Sequence, residues 1–168
     1  MSQTLYYIIL AVFDLMIAAL ITIAALDDAK TRIVRPSLQL SLLGVALAHF
    51  IFVLCVALSG TLETVTLWDA LELPLAGILM FTIYITLVLV FKTGIGGADT
   101  KVSSIMALHL GISLSVVMVV GHFVSAIVYV VYEKIKHNRH IASVPLMVFI
   151  GIGYLLTLAI KWSALLIH

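Results

Sequence analysis

Two carboxylates stand where this chain could do chemistry. Asp99 follows a glycine-rich polar island, Thr93-Gly94-Ile95-Gly96-Gly97-Ala98-Asp99-Thr100-Lys101, set between two long apolar runs. Asp28 lies in a second island upstream, Asp27-Asp28-Ala29-Lys30-Thr31-Arg32-Ile33-Val34-Arg35-Pro36. Two carboxylates held close together cannot both ionise easily, so one keeps a proton. The ionised member can activate water as a general base, and the protonated member can polarise a peptide carbonyl. This is hydrolysis by an aspartate pair, and it requires no metal, cofactor or nucleophilic side chain. Gly94, Gly96 and Gly97 permit backbone turns that other residues resist and let a substrate backbone approach closely. Ala98 and Lys101 complete the segment expected to meet that substrate.

The elements that must position these residues are membrane helices. The chain has 168 residues, 64% of them hydrophobic and 10% charged, with mean hydropathy +1.28. A soluble domain is roughly 25% charged, and one of this size has no means of hiding so much apolar surface. A single transmembrane domain over residues 1–168 is expected. The single cysteine, Cys55, excludes a disulfide framework or a cysteine-based zinc site within one chain. The first apolar run is as long as a full span and lacks a cleavage-site pattern, so it reads as a retained helix.

Spans of about 20 apolar residues are expected at residues 5–26, 38–58 and 73–91, the last with Pro74 in its first turn and Trp68 as an interface anchor before it. The apolar stretch 102–132 is long for one span and short for two. Its natural break is Leu108-His109-Leu110-Gly111, giving a short fourth helix at 102–110 and a fifth at 113–132. Gly121 and Ser125 form a small-xxx-small pair for close helix contact. A sixth helix is expected at 144–166. The fold class is therefore all-α, a polytopic membrane protein with six transmembrane helices.

The charges agree with that count. Eight of the nine Lys and Arg lie in three alternate connections: Lys30, Arg32 and Arg35; Lys92 and Lys101; Lys134, Lys136 and Arg139. The positive-inside rule makes those connections cytoplasmic and leaves both termini outside. The two aspartates then share the cytoplasmic face of a multi-pass cell-membrane protein. The lipid bilayer is a partner, a homo-oligomer is compatible with the sequence, and no feature marks nucleic acid or a metal.

At this point the residues resemble a known family. Gly96-Gly97-Ala98-Asp99-Thr100-Lys101 is similar to the aspartate motif of the type IV prepilin peptidases and archaeal preflagellin peptidases, which belong to the GxGD class of membrane aspartic proteases. Asp28-Ala29-Lys30-Thr31-Arg32-Ile33-Val34 resembles the family's first-aspartate segment, and Ile141-Ala142-Ser143-Val144-Pro145-Leu146 resembles a late proline-containing one. The resemblance implies an aspartic endopeptidase that removes the basic leader of pilin-like or archaellin-like precursors at the cytoplasmic face. Asp28 and Asp99 would be catalytic. It implies no methyltransferase activity, because the cysteine-bearing cytoplasmic region of larger members is not in this sequence. Two departures stand out. Ala98 replaces a glycine of the GxGD pattern, and Val34-Arg35-Pro36 replaces Ile-Pro-Asn. The second leaves a choice of register, with Asp28 first and Asp27 second.

Plainer readings stand beside these. Asp99 suits a helix N-cap, and Asp28 suits a solvated acid beside Lys30 and Arg32. Lys101 is either a cation beside Asp99 or an anchor on lipid phosphate. Asp14, in the middle of the first span, is a functional candidate by its position. It lies about 21 Å along a helix from Asp28, so a hydrogen bond to a neighbouring helix is expected of it. His49, His109 and His122 read as polar contacts between helices. His137 and His140 have metal-compatible spacing but sit in a basic connection, where solvation is expected. The alternatives to a peptidase are a small ion-coupled transporter and a non-enzymatic membrane assembly subunit.

Overall fold

The structure is a computed structural model that describes residues 1–91, 97–137 and 145–167. Among these residues the chain is all-helical: α1 (Gln3–Thr31), α2 (Pro36–Ser59), α3 (Leu67–Phe91), α4 (Gly97–His137) and α5 (Leu146–Ile167). Among the described residues five helices are long and apolar enough to cross a membrane, where the sequence led to an expectation of six. Their outer faces carry large apolar side chains such as Leu15, Leu58 and Leu89, each about 70% exposed. This apolar exterior is that of a multi-pass membrane protein.

The difference in count lies in α4. It is continuous over 41 residues except at Gly111, whose φ of 77° and ψ of 178° are non-helical. The contacts with α3 show what happens there. Gly77 of α3 packs on Ser104 and Leu108, and Glu72 accepts the N–H of Ile112. Tyr84, a further turn and more along α3, pairs with His122. Moving down α3, the partners fall from 111 towards 104 on one arm of α4 and rise from 112 to 122 on the other. The chain therefore folds back on itself at Gly111, between an arm over 97–110 and an arm over 112–137. This is the break expected at residues 108–111. The first arm is about 21 Å long, shorter than a bilayer's hydrocarbon core of roughly 30 Å.

A break inside a helix frees backbone groups. Three of them are met by side chains. Glu72 Oε1 accepts from Ile112 N–H at 2.7 Å and from Ser113 N–H at 3.4 Å, and Ser115 Oγ donates to the Gly111 carbonyl at 2.5 Å. The carboxylate caps the second arm as an N-terminal residue would. Glycine is required at 111 by its positive φ and because an added Cβ would lie 3.0 Å from Glu72 Oε1.

Helix α3 begins earlier than the sequence suggested. Thr66 and Asp69 form a reciprocal cap: Thr66 N–H donates to Asp69 Oδ2 at 2.7 Å, and Asp69 N–H to Thr66 Oγ1 at 3.4 Å. Pro74 is consequently interior to the helix, a correction to its placement in the first turn. Trp68 is 60% exposed in the first turn, as an interface anchor would be.

Helices α1 and α5 are antiparallel, with Asp28 beside Met147 at one end and Asp14 beside Lys161 at the other. The second arm of α4 packs against α5 through Gly121 on Gly153, the close approach expected of the small residue at 121. The core joins α1, α2, α4 and α5 through Ile21, Leu42, Val102, Met106 and Ile150, with Val34 sealing the α1–α2 turn. The expected outcome for Glu72→Ala is a loss of about 1–3 kcal/mol, measured as the thermal midpoint in detergent. Glu72→Gln, which keeps an acceptor oxygen, should lose clearly less.

Candidate functional site

The buried residues of α1 form one stripe: Tyr6, Leu10, Asp14, Ile17, Ile21, Ala24 and Asp28. Their spacing of three and four residues is that of a helix face turned inward. Asp28 is the last member and is 8% exposed. Its Oδ2 accepts the Met147 N–H at 3.1 Å, so it caps the first turn of α5 just after Pro145. An anion is favoured there by the free N–H groups and the helix dipole.

Asp27 lies one residue off that stripe. Its side chain is 25% exposed and pairs with Arg35 Nε at 2.6 Å. The turn between the helices makes this pairing local: Arg32 adopts the left-handed conformation at the end of α1, and Pro36 opens α2. The two candidates of the first island are thus separated by direction, Asp28 inward and Asp27 towards the surface.

Asp99 sits in the first turn of α4, half-buried. It lies at the Asp28 end of the bundle, because α3 runs from the Glu72 end and α4 starts where α3 stops. Ala98 packs against the core cluster that contains Ala24, Val34 and Met147. Gly97 opens α4 and is exposed, with open space where a Cβ would stand. The alanine at 98 is thus a packing residue. Lys101 is exposed and stands beside a groove of about 430 Å³, walled by Pro36, Leu40, Leu43, Phe81 and Ile105. Gly94 and Gly96 lie outside the described residues, as do His140 and residues 141–144 of the late proline-containing segment.

A second polar cluster lies nearer the opposite end. Asp14, 2% exposed, accepts from His109 Nε2 at 2.8 Å, from Lys161 Nζ at 3.0 and 2.8 Å, and from Trp162 Nε1 at 3.0 Å. The contact expected between Asp14 and a neighbouring helix is present, and so is one for His109. His122 pairs with Tyr84 at 3.0 Å. Lys161 and Trp162 were not singled out in the sequence. Lys161 is the one Lys or Arg outside the three basic connections, and a lone intramembrane lysine calls for a buried acid. No group of three or more His, Cys, Asp or Glu among the described residues is arranged to hold a metal.

Compared with models of known families, with characterised proteins and with solved structures, the chain matches none.

Two outcomes follow from this geometry. Asp27→Asn should cost no more than about 1 kcal/mol, since an exposed ion pair contributes little. Asp28→Leu, which orphans a buried N–H, should cost about 1–3 kcal/mol; parallel thermal melts separate the two. Lys161→Met should destabilise by about 3–5 kcal/mol, because it leaves the buried Asp14 without its cation. Adding Asp14→Asn should restore part of that loss in the same assay.

Proposed function

We propose that the protein is a membrane aspartic endopeptidase that cleaves the basic leader from pilin-like or archaellin-like precursors at the cytoplasmic face. The observation that carries this reading is the position of Asp28. It is the inward member of an Asp-Asp pair, at the same end of the bundle as Asp99. The motif at 96–101, similar to that of the type IV prepilin peptidases, supplies the second carboxylate. Water lies between the two. One carboxylate takes its proton, the other donates to the scissile carbonyl, and the tetrahedral diol collapses to products.

In this reading the two arms of α4 count as separate membrane crossings, which gives six and leaves both termini outside. The described bases at the Asp28 end, Lys30, Arg32, Arg35, Lys101, Lys134 and Lys136, support a cytoplasmic placement of that end. The segment at 94–101 receives the extended leader, and the groove beside Lys101 takes the start of the apolar helix that follows it.

The two asparagine variants are the decisive test. Asparagine at 28 keeps an oxygen for the Met147 N–H but cannot act as a base. Asp28→Asn and Asp99→Asn should therefore each remove cleavage of a pilin-like precursor while the protein still inserts and melts near the wild-type temperature. Asp27→Asn should retain activity. Full cleavage by Asp28→Asn would move the catalytic role elsewhere. The Asp14 cluster favours an ion-coupled carrier as second reading, and that reading expects no cleavage by the wild-type protein.

A further inference from the structure

The Asp28–Asp99 reading leaves unused a polar centre at the other end of the bundle. A cavity of about 480 Å³ opens there. Thr64 and Val65, from the connection between α2 and α3, form part of its wall, so its mouth lies at the bundle surface. It descends between Tyr6 and Leu10 of α1 and Val53 of α2 to His49, His109 and Lys161. Liquid water occupies about 30 Å³ per molecule, so the space admits several.

At and behind the inner wall of this vestibule lie buried polar atoms that the described residues do not satisfy. His49 Nδ1 and His109 Nδ1 have no hydrogen-bond partner among the described residues, and neither has the hydroxyl of Tyr154. All three residues are at least nine-tenths buried: His49 is 5% exposed, His109 2% and Tyr154 0%. Their rings adjoin, with His49 4.5 Å from His109 and His109 6.2 Å from Tyr154, centroid to centroid. Buried polar atoms without a protein partner are normally met by ordered water. His49 and His109 line the vestibule, and Tyr154 adjoins His109.

We propose that His49 and His109 form a proton-binding site served by water through this vestibule from the Glu72 end of the bundle. Asp14 faces the Lys161 ammonium and accepts from His109 Nε2. His109 Nε2 thus carries hydrogen, and Nδ1 is left as a bare acceptor. In the step, an O–H bond of a hydronium in the vestibule breaks, an imidazole N–H bond forms, and water remains. The resulting imidazolium lies against the Asp14 carboxylate, which stabilises the added charge. With the rings this close, the pair shares the proton rather than binding one on each ring.

The groups that face this pair come from every helix. Helix α1 gives Asp14, with Tyr6 and Tyr7 on the wall. Helix α3 gives Asp69 and Glu72, both already occupied as helix caps. Helix α5 gives Lys161 and Tyr154. Proton uptake sets a second cation against Asp14 beside Lys161, and so changes the grip between α1, α4 and α5. The site is independent of peptide cleavage.

The test uses the full-length wild-type protein with ¹⁵N-labelled histidine rings, oriented in lipid vesicles. The six histidines are assigned by single His→Gln variants. The ring signals of His49 and His109 should move reversibly as the bath is acidified. They should follow the bath on the Glu72 side, while His122, bonded to Tyr84, stays fixed. Signals that remain those of neutral rings throughout, or that follow only the bath on the Asp28 side, overturn the proposal.

A second measurement reads water access directly. In a Cys55→Ala background, Leu10→Cys and Val53→Cys should react with a membrane-impermeant thiol reagent from the side on which Glu63→Cys reacts. Lys136→Cys marks the other side. Absence of labelling at both vestibule positions, or labelling only from the Lys136 side, also overturns it.

Discussion

The arrangement rests on a two-point polar clamp between α1 and α5. At one end Asp28 accepts the Met147 N–H, and at the other Asp14 holds Lys161 and Trp162. Asp14 and Asp28 are separated by the same number of residues as Met147 and Lys161, close to four helical turns. One antiparallel register therefore satisfies both contacts, with Gly151 packed on Ile21 and Ala25 between them. In a bilayer this matters more than it would in water. Lipid tails are as apolar as leucine, so burying leucine against leucine gives little preference for one register. A sliding of α5 by one turn would leave a carboxylate unmatched at both ends, and that is what fixes the helix.

The remaining packing follows from close backbone approach and from the reversal at Gly111. Gly153 abuts the backbone of Met118 and His122, which brings the second arm of α4 onto α5. The first arm lies against α3 through Gly77. At the reversal a single carboxylate from α3 holds the two freed N–H groups that open the second arm. Both arms then share the interior, with Val102, Ile105 and Met106 from one and Met118 from the other in the same core.

Much of this was legible in residue types and spacing. A run over 102–132, too long for one span and too short for two, pointed to an interrupted helix, and the segment Leu108-His109-Leu110-Gly111 marked the place. That Asp28 rather than Asp27 turns inward was legible too, in a signal that motif alignment does not use. Only Asp28 continues the spacing of Leu10, Asp14, Ile17, Ile21 and Ala24. The start of α3 was written in Thr66-x-x-Asp69, a capping pattern hidden by the pull of Pro74. Other features had no local trace. Glu72 serves a turn 40 residues away, and nothing in its neighbourhood distinguishes it from a loop acid. Lys161 meets an aspartate 147 residues earlier, and only elimination would pair them. Such partners are set by which helices become neighbours, and that depends on packing summed over the whole chain.

The two buried aspartates of α1 differ in a way that bears on what each can do. An ionised carboxylate offers about four acceptor sites. Asp14 accepts four N–H contacts from three side chains, and a cation lies against it. Its lone pairs are occupied and its charge is matched, which suits an anchor that holds other groups in place. Asp28 accepts one N–H, from a neutral backbone amide, among the described residues. Among the described residues, no cation is paired with it. The role proposed for Asp28 calls for a carboxylate that its fixed partners do not exhaust. The same helix face thus carries one carboxylate whose partners exhaust it and one whose partners do not, and only the second lies at the end of the bundle that Asp99 shares.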